Sequence, residues 1–316
     1  MTKRAFTFPG QGSQAVGMGK DLAAAFPEAR AVFQEVDEAL GQRLSAMMFE
    51  GSEDILRLTE NAQPALMAVS LAVMRVLQAK GIRLVDHAAY VAGHSLGEYS
   101  ALCAAGSFSL ADAARLLRIR GLAMQKAVPV GHGTMAALLG LDLATAREVA
   151  AEAAGTEVCD VANDNAPGQV VISGATAAVE RAVEIAKARG AKRALLLPVS
   201  APFHCALMQP AAEAMQAALA EVTVNAPVVP LVANVLAAPI TDPAEIRQRL
   251  VEQVTGVVRW TESISWLTGP GGVTHLAELG TGKVLTGLAK RINGEAIATA
   301  VSTPADIDAF VAELSA

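Results

Sequence analysis

The segment from Gly133 to Ser200 limits the possible folds more than any other part of the chain. Short apolar runs lie at Thr134–Leu141, Val158–Ala162, Gln169–Ser173 and Arg193–Val199, whereas Ala144–Ala154 and Thr176–Arg189 carry a helical period. The order is strand, helix, strand, strand, helix, strand, a βαββαβ unit of the split βαβ, ferredoxin-like kind. In its second helix Val179, Ala182, Val183, Ile185 and Ala186 are expected toward a core, leaving Glu180, Arg181, Glu184 and Lys187 to solvent. Elsewhere helical stretches alternate with apolar strands at Ala5–Phe8, Tyr90–Ala92, Val228–Ala233 and Thr274–Glu278. That alternation predicts a mainly parallel sheet covered on both faces, with ligands at the carboxyl ends of its strands. The expected class is therefore α/β, with a small domain over residues 131–200 inserted into a large one formed by 1–130 and 201–316.

Composition narrows the partners. A chain of 316 residues, 53% hydrophobic and 18% charged, can bury a large core and sits near the size at which one core gives way to two. Lys and Arg number 25 against 31 Asp and Glu, a formal charge of −6, which removes the electrostatic basis for nonspecific binding to nucleic acid or to an anionic membrane. Cys103, Cys159 and Cys205 are odd in number and lack Cys-x-x-Cys spacing, so neither a disulfide framework nor a zinc site is expected. Pro9 and Gly10 cut short the apolar run after Lys3 and Arg4, well before a signal peptide's apolar core would be complete, and a cytoplasmic location follows as the expectation. The apolar stretch Ala65–Met74 is about half of the roughly 20 residues that a membrane span needs and reads as a buried helix.

The chemistry centres on Gly93-His94-Ser95-Leu96-Gly97, which follows the apolar Ala88–Ala92 and precedes the helical Glu98-Tyr99-Ser100-Ala101. Gly-x-Ser-x-Gly between a strand and a helix is a nucleophile elbow: the glycines permit the tight turn, and the helix N-terminus favours an oxyanion beside the serine. The alternative is that Ser95 merely caps the helix. A serine needs a base, and His132, His204 and His275 are the candidates downstream. His132 lies in a Gly-His-Gly turn and His275 within an apolar strand pattern. His204, in the proline-stiffened Ala201-Pro202-Phe203-His204-Cys205 loop after a strand, is the preferred one. Cys205 reads as a small buried hydrophobe rather than a rival nucleophile.

Arg120 stands apart from the other cations of its helix, Leu110–Lys126. Its helical neighbours are Ala113, Leu116, Leu117, Ala123 and Met124, so it projects from the apolar face, whereas Arg115 has Asp112 and Arg118 beside it. A buried guanidinium costs several kcal/mol unless it meets an anion. That anion is either an internal Asp or Glu or the carboxylate of a substrate held bidentately.

With these residues in place, the sequence closely resembles malonyl-CoA:acyl carrier protein transacylases, nearly end to end. The likeness runs through Phe8-Pro-Gly-Gln-Gly-Ser-Gln14, Gln63-Pro-Ala-Leu66, Gly93–Leu102, Arg120-Gly121, Asn165–Ile172, Pro198-Val-Ser200, His204 and Gly280–Leu285. The resemblance implies an α/β-hydrolase-like large domain with an inserted ferredoxin-like one. It implies Ser95 as nucleophile, His204 as its base, Arg120 as the holder of the malonyl carboxylate, and the main-chain carbonyl of Gln253 as the group orienting the histidine. The backbone N–H groups of Gln11 and Leu96 become the oxyanion donors, and Gln63, His94 and Asn165 pocket residues. The implied reaction is ping-pong malonyl transfer from malonyl-CoA to acyl carrier protein in fatty acid synthesis, with no cofactor or metal. Three rivals stand beside it: a serine hydrolase or thioesterase; the malonyltransferase of a polyketide or malonate decarboxylase system; and a non-enzymatic domain that docks carrier protein.

Overall fold

A computed structural model describes residues 2–315; Met1 and Ala316, the outermost residues of the expected large domain, lie outside the described range. Its strands are β1 (Arg4–Phe8), β2 (Tyr90–Gly93), β3 (Gly133–Leu139), β4 (Cys159–Ala166), β5 (Gln169–Ala175), β6 (Arg193–Leu196), β7 (Leu231–Ala233), β8 (Ala238–Ile240), β9 (His275–Leu279) and β10 (Ile297–Val301). They form two sheets. A six-stranded sheet has the order β10-β9-β1-β2-β7-β8, with every neighbouring pair parallel except the β7–β8 hairpin. A four-stranded antiparallel sheet, β4-β5-β3-β6, comes wholly from the segment between β2 and β7. The fold is thus mixed α/β, with a mostly parallel sheet and an antiparallel one.

Alternation along the large sheet explains its double cover. Phe6, Phe8, Val91, Leu231, Ala233, Ala277 and Leu279 join the main core, while Ala5, Ala92, Val232 and Leu276 face a second apolar layer on the other side. Period-two strands with both faces apolar must be covered twice. The helix Thr59–Ala79 runs through the main core; it is long and apolar enough to cross a membrane, but 83% of its apolar window is buried inside the protein. The third core lies in the small sheet, where Val179, Ala182, Val183 and Ala186 are buried and Glu180, Arg181, Glu184 and Lys187 are exposed.

Several boundaries depart from the sequence expectation. The third parallel strand begins at Leu231 rather than Val228, because the Val228 N–H is committed to Ala105 O, 2.9 Å away, and Pro230 has no N–H to give. The last strand of the small sheet stops at Leu196, just before Pro198, rather than at Val199. β4 runs on to Ala166 instead of ending at Ala162, with register shifts at Val161/Asn163 and Asp164/Ala166 that carry Asn165 beyond the expected strand. β8, three residues long with a central proline, and the half-exposed β10 carry too weak a pattern to anticipate.

The turn after β2 is the tightest place in the fold. A Cβ on Gly93 would sit 1.9 Å from the Gly97 carbonyl oxygen, and one on Gly97 would sit 2.2 Å from that of Phe8, so backbone packs against backbone where a side chain has no room. Gly93→Ala should therefore cost at least about 3 kcal/mol, the upper end of ordinary overpacking. Denaturant unfolding measures it, and a loss below about 1 kcal/mol would mean that the turn can relax.

Candidate active site

Ser95 stands at the apex of this turn, between β2 and the helix Gly97–Ala104, with φ of 53°. A left-handed conformation costs a non-glycine residue about 1–2 kcal/mol and needs support from its surroundings. Asn234, just past β7, supplies it: its Oδ1 accepts from Ser95 N–H at 2.8 Å and its Nδ2 donates to Gly93 O at 2.7 Å. The clamp holds the serine hydroxyl toward a cavity of about 490 Å³ that opens between the two sheets.

His204 meets it there. Ser95 Oγ and His204 Nε2 are 2.7 Å apart, while Nδ1 lies 2.8 Å from Gln253 O and 3.2 Å from Gly256 O. Carbonyls only accept, so Nδ1 carries the proton and Nε2 is left to accept from the serine hydroxyl. Burial first, and the nearby Arg120 charge second, push the imidazole pKa down to about 3. The ring is neutral at pH 7, the form a general base requires. His204 also has a positive φ of 57°. His132 lies exposed and His275 sits on β9 beside Thr274; neither lines the cavity. Cys205 is buried with its thiol pKa pushed up to about 11, and Cys103, pushed up to about 12, faces a different hollow.

Arg120 is 1% exposed, and its guanidinium reaches the same cavity. Nη1 donates to Gln63 Oε1 at 2.8 Å; Nη2 donates to Gln253 Oε1 at 2.7 Å and to Ser95 Oγ at 3.2 Å. The Tyr99 ring lies 5.8 Å from the guanidinium carbon. Among the described residues no carboxylate forms an ion pair with Arg120, and its buried Nε has no hydrogen-bond partner. The internal Asp or Glu that would have satisfied it is missing from direct contact. Such an arrangement leaves a desolvated cation beside a serine that a neutral imidazole can deprotonate.

The remaining candidates also gather here. The Pro9–Gln11 loop leans on the elbow, with His94 N–H donating to Phe8 O at 3.0 Å, and neither the Gln11 nor the Leu96 N–H donates to any described residue. Both residues line the cavity, as do His94 and Asn165, whose Nε2 and Oδ1 are 2.7 Å apart. Burial lowers the His94 pKa, and the Asn165 contact opposes that shift. Gln63 lies one layer deeper, under Arg120.

This arrangement can be set against known proteins. The acyl transferase domain family matches residues 5–268. A malonyl CoA-acyl carrier protein transacylase from Salmonella typhimurium is 49% identical over 99% of this chain and all of its own. The crystal structure of an acyl-carrier-protein S-malonyltransferase from Bartonella henselae superposes with a TM-score of 0.97 at 58% identity, over the whole of both chains. The chain belongs to the malonyl CoA-acyl carrier protein transacylase family. A malonyl-transacylase of the same fold, 44% identical with a TM-score of 0.95 over 99% of this chain and all of its own, was solved in complex with a type II polyketide acyl-carrier protein.

Within this transacylase the sequence reading overlooked four groups. Asn234 follows a strand of only three residues, and the second carbonyl, Gly256 O, belongs to a main-chain group at a helix end that no residue type announces. Thr59, whose Oγ1 accepts from Gln63 Nε2 at 2.9 Å and donates to Gln11 Oε1 at 3.0 Å, reads as an ordinary helix-start residue. Glu98 reads as an ordinary first-turn acid, yet it is buried, with a pKa pushed up to about 7 chiefly by burial. The Gln253 carbonyl lies where expected, on His204 Nδ1, and its side chain joins the site as well, since its amide touches Arg120, Ser95 O and Glu98.

The histidine geometry has a thermodynamic consequence. Between pH 6.5 and 3 an unfolded chain binds a proton on this imidazole that the folded one refuses, so His204 makes the protein lose stability as pH falls through that window. His204→Ala should therefore unfold with a smaller difference between pH 7 and pH 4 than wild type, and should lose about a hundredfold or more in turnover. Denaturant titrations at the two pH values, with an assay at pH 7, check both; near-normal turnover would move the base elsewhere.

Proposed function

We propose that this enzyme transfers the malonyl group from malonyl-CoA to the phosphopantetheine thiol of acyl carrier protein by a ping-pong route through a malonyl-serine ester, feeding fatty acid synthesis in the cytoplasm. The observation that carries this reading is the desolvated Arg120 guanidinium, 3.2 Å from Ser95 Oγ and without an ion-pair partner among the described residues. A neutral acyl group has no use for it; a malonyl carboxylate does.

In the first half-reaction His204 Nε2 takes the hydroxyl proton as Ser95 Oγ attacks the thioester carbonyl carbon. The oxyanion faces the free N–H groups of Gln11 and Leu96. The C–S bond then breaks, the CoA sulfur takes the proton back from Nε2, and the ester remains. In the second half the carrier thiol gives its proton to Nε2 and attacks the ester, and Ser95 Oγ leaves with that proton. Throughout, the Gln253 and Gly256 carbonyls stabilise the transient imidazolium, and Arg120 holds the distal carboxylate. Atoms and charges balance without a metal or redox cofactor. Hydrolysis is the competing outcome, and the arginine argues against a generic esterase.

The small sheet supports a finer reading of the architecture. In chain order its strands lie 4-1-3-2, with helices in both crossovers, the arrangement of a ferredoxin-like domain over residues 131–200. The parallel sheet with its strand–elbow–helix supports an α/β-hydrolase-like domain formed by 1–130 and 201–316.

Incubation with malonyl-CoA and no acceptor should leave one malonyl adduct on the wild type and none on Ser95→Ala by intact-protein mass spectrometry. An adduct on the variant would relocate the nucleophile. Arg120→Ala should lose about 2–5 kcal/mol in kcat/KM for malonyl-CoA, the scale for breaking a desolvated charge pair, while acetyl transfer holds or rises. Equal losses with both thioesters would mean that Arg120 serves the fold instead.

A further inference from the structure

We propose that Glu98 is a positioning residue for malonyl selectivity, acting through the Gln253 amide to fix the guanidinium of Arg120. The proposal rests on the role of Arg120 given above. An amide can offer a charged neighbour either its oxygen or its NH2, and only the oxygen suits an arginine. What lies behind the amide decides which one faces forward.

Behind Gln253 lie two acceptors. Its Nε2 donates to Ser95 O at 2.8 Å and to Glu98 Oε2, which leaves Oε1 turned to Arg120 Nη2 at 2.7 Å. The other Glu98 oxygen accepts from Asn234 N–H at 2.9 Å. With Glu98 ionised, as it becomes above its pKa of about 7, the carboxylate cannot donate, so Gln253 cannot turn over without facing its oxygen against two acceptors and its NH2 against the guanidinium. Gln63 is held in the same sense from the other side, with Nε2 on Thr59 Oγ1 and Oε1 on Arg120. The difference is that Glu98 is an acid and fully buried, with no ion pair to any described residue. Burying a carboxylate that way is expensive, and a neutral side chain could satisfy Asn234 equally well. The acid is explained by the arginine one amide away: in its ionised form Glu98 supplies a long-range counter-charge and leaves the guanidinium open to an incoming carboxylate. A direct ion pair would fill that opening.

Glu98→Gln keeps size and shape but places an NH2 against Gln253 or against Asn234 N–H. One amide must turn, and a turned Gln253 meets Arg120 with its donors. The kcat/KM ratio of malonyl-CoA to acetyl-CoA should fall about tenfold or more, through the malonyl value, with the thermal midpoint little changed. Gln253→Met, which keeps the main-chain carbonyl for His204, should lower the same ratio, and the double variant should fall no further than the larger single loss, because both cut one path. Additive losses, or equal losses with both thioesters, overturn the proposal. Should Glu98→Gln fail to fold, an unchanged ratio in Gln253→Met overturns it alone. Arg120→Ala measured alongside separates the two levels. If it shifts the ratio and Glu98→Gln does not, only the Glu98 role fails; if it shifts nothing, the carboxylate-binding role of Arg120 fails, and this proposal with it.

Discussion

A positive charge held out of water sets the terms for everything around the elbow. The Arg120 guanidinium is buried beside the serine, and the cost of several kcal/mol for such a group has to be met by neighbours. They meet it with neutral oxygens from Gln63, Gln253 and Ser95, and with a carboxyl group set back behind Gln253. The same charge acts on two titratable neighbours. It adds to burial in keeping the His204 imidazole unprotonated, and it opposes the burial that drives the Glu98 carboxyl upward. Removing the cation would thus alter the protonation of two groups that it does not touch directly.

Backbone packing explains why the serine can sit among these groups at all. β1, the elbow and the first turn of the following helix approach so closely that Gly93 and Gly97 have no space for a Cβ. Ser95 and His204 both hold left-handed backbone conformations, each costing about 1–2 kcal/mol. The Asn234 side chain braces the first and the Gln253 and Gly256 carbonyls hold the ring of the second. Both partners are thus held by groups far off in sequence, one just past β7 and the others at the end of the helix Pro243–Thr255.

That distance also marks what the sequence could disclose. The βαββαβ order, the parallel strands and the elbow are local patterns, written within 10 to 70 neighbouring residues, and they were legible. Arg120 was legible because helical spacing alone puts it among Ala113, Leu116, Leu117 and Met124. Choosing His204 over His132 and His275 needed loop chemistry and resemblance, since nothing local measures the gap to Ser95. Asn234 and Glu98 were not legible: their decisive contact joins residues 136 positions apart, and each alone looks like a common loop or helix-start residue. The side-chain role of Gln253 was hidden for the same reason, its partner Arg120 lying 133 positions away.

The cavity draws its walls from both sheets, and the seam between them is hydrogen-bonded rather than merely apolar. Val258 N–H donates to Ala162 O at 2.9 Å and Val258 O accepts from Asp164 N–H at 3.0 Å, so the single bridge residue just after the helix Pro243–Thr255 is tied to β4. Thr261 Oγ1 adds a bond to the Asp164 carboxylate at 2.9 Å. One turn of chain therefore carries, in order, the carbonyls that hold His204 and the bonds that hold the small sheet. Beside these bonds His94 of the elbow reaches Asn165, the next residue of β4, and its ring packs against Trp260. A movement of the small sheet away from the elbow would strain this cluster of bonds, and those from Val258 and Thr261 lie two to eight residues from the carbonyls that hold the imidazole. Access to the serine and readiness of its base are mechanically linked by that short stretch, Gln253 to Thr261.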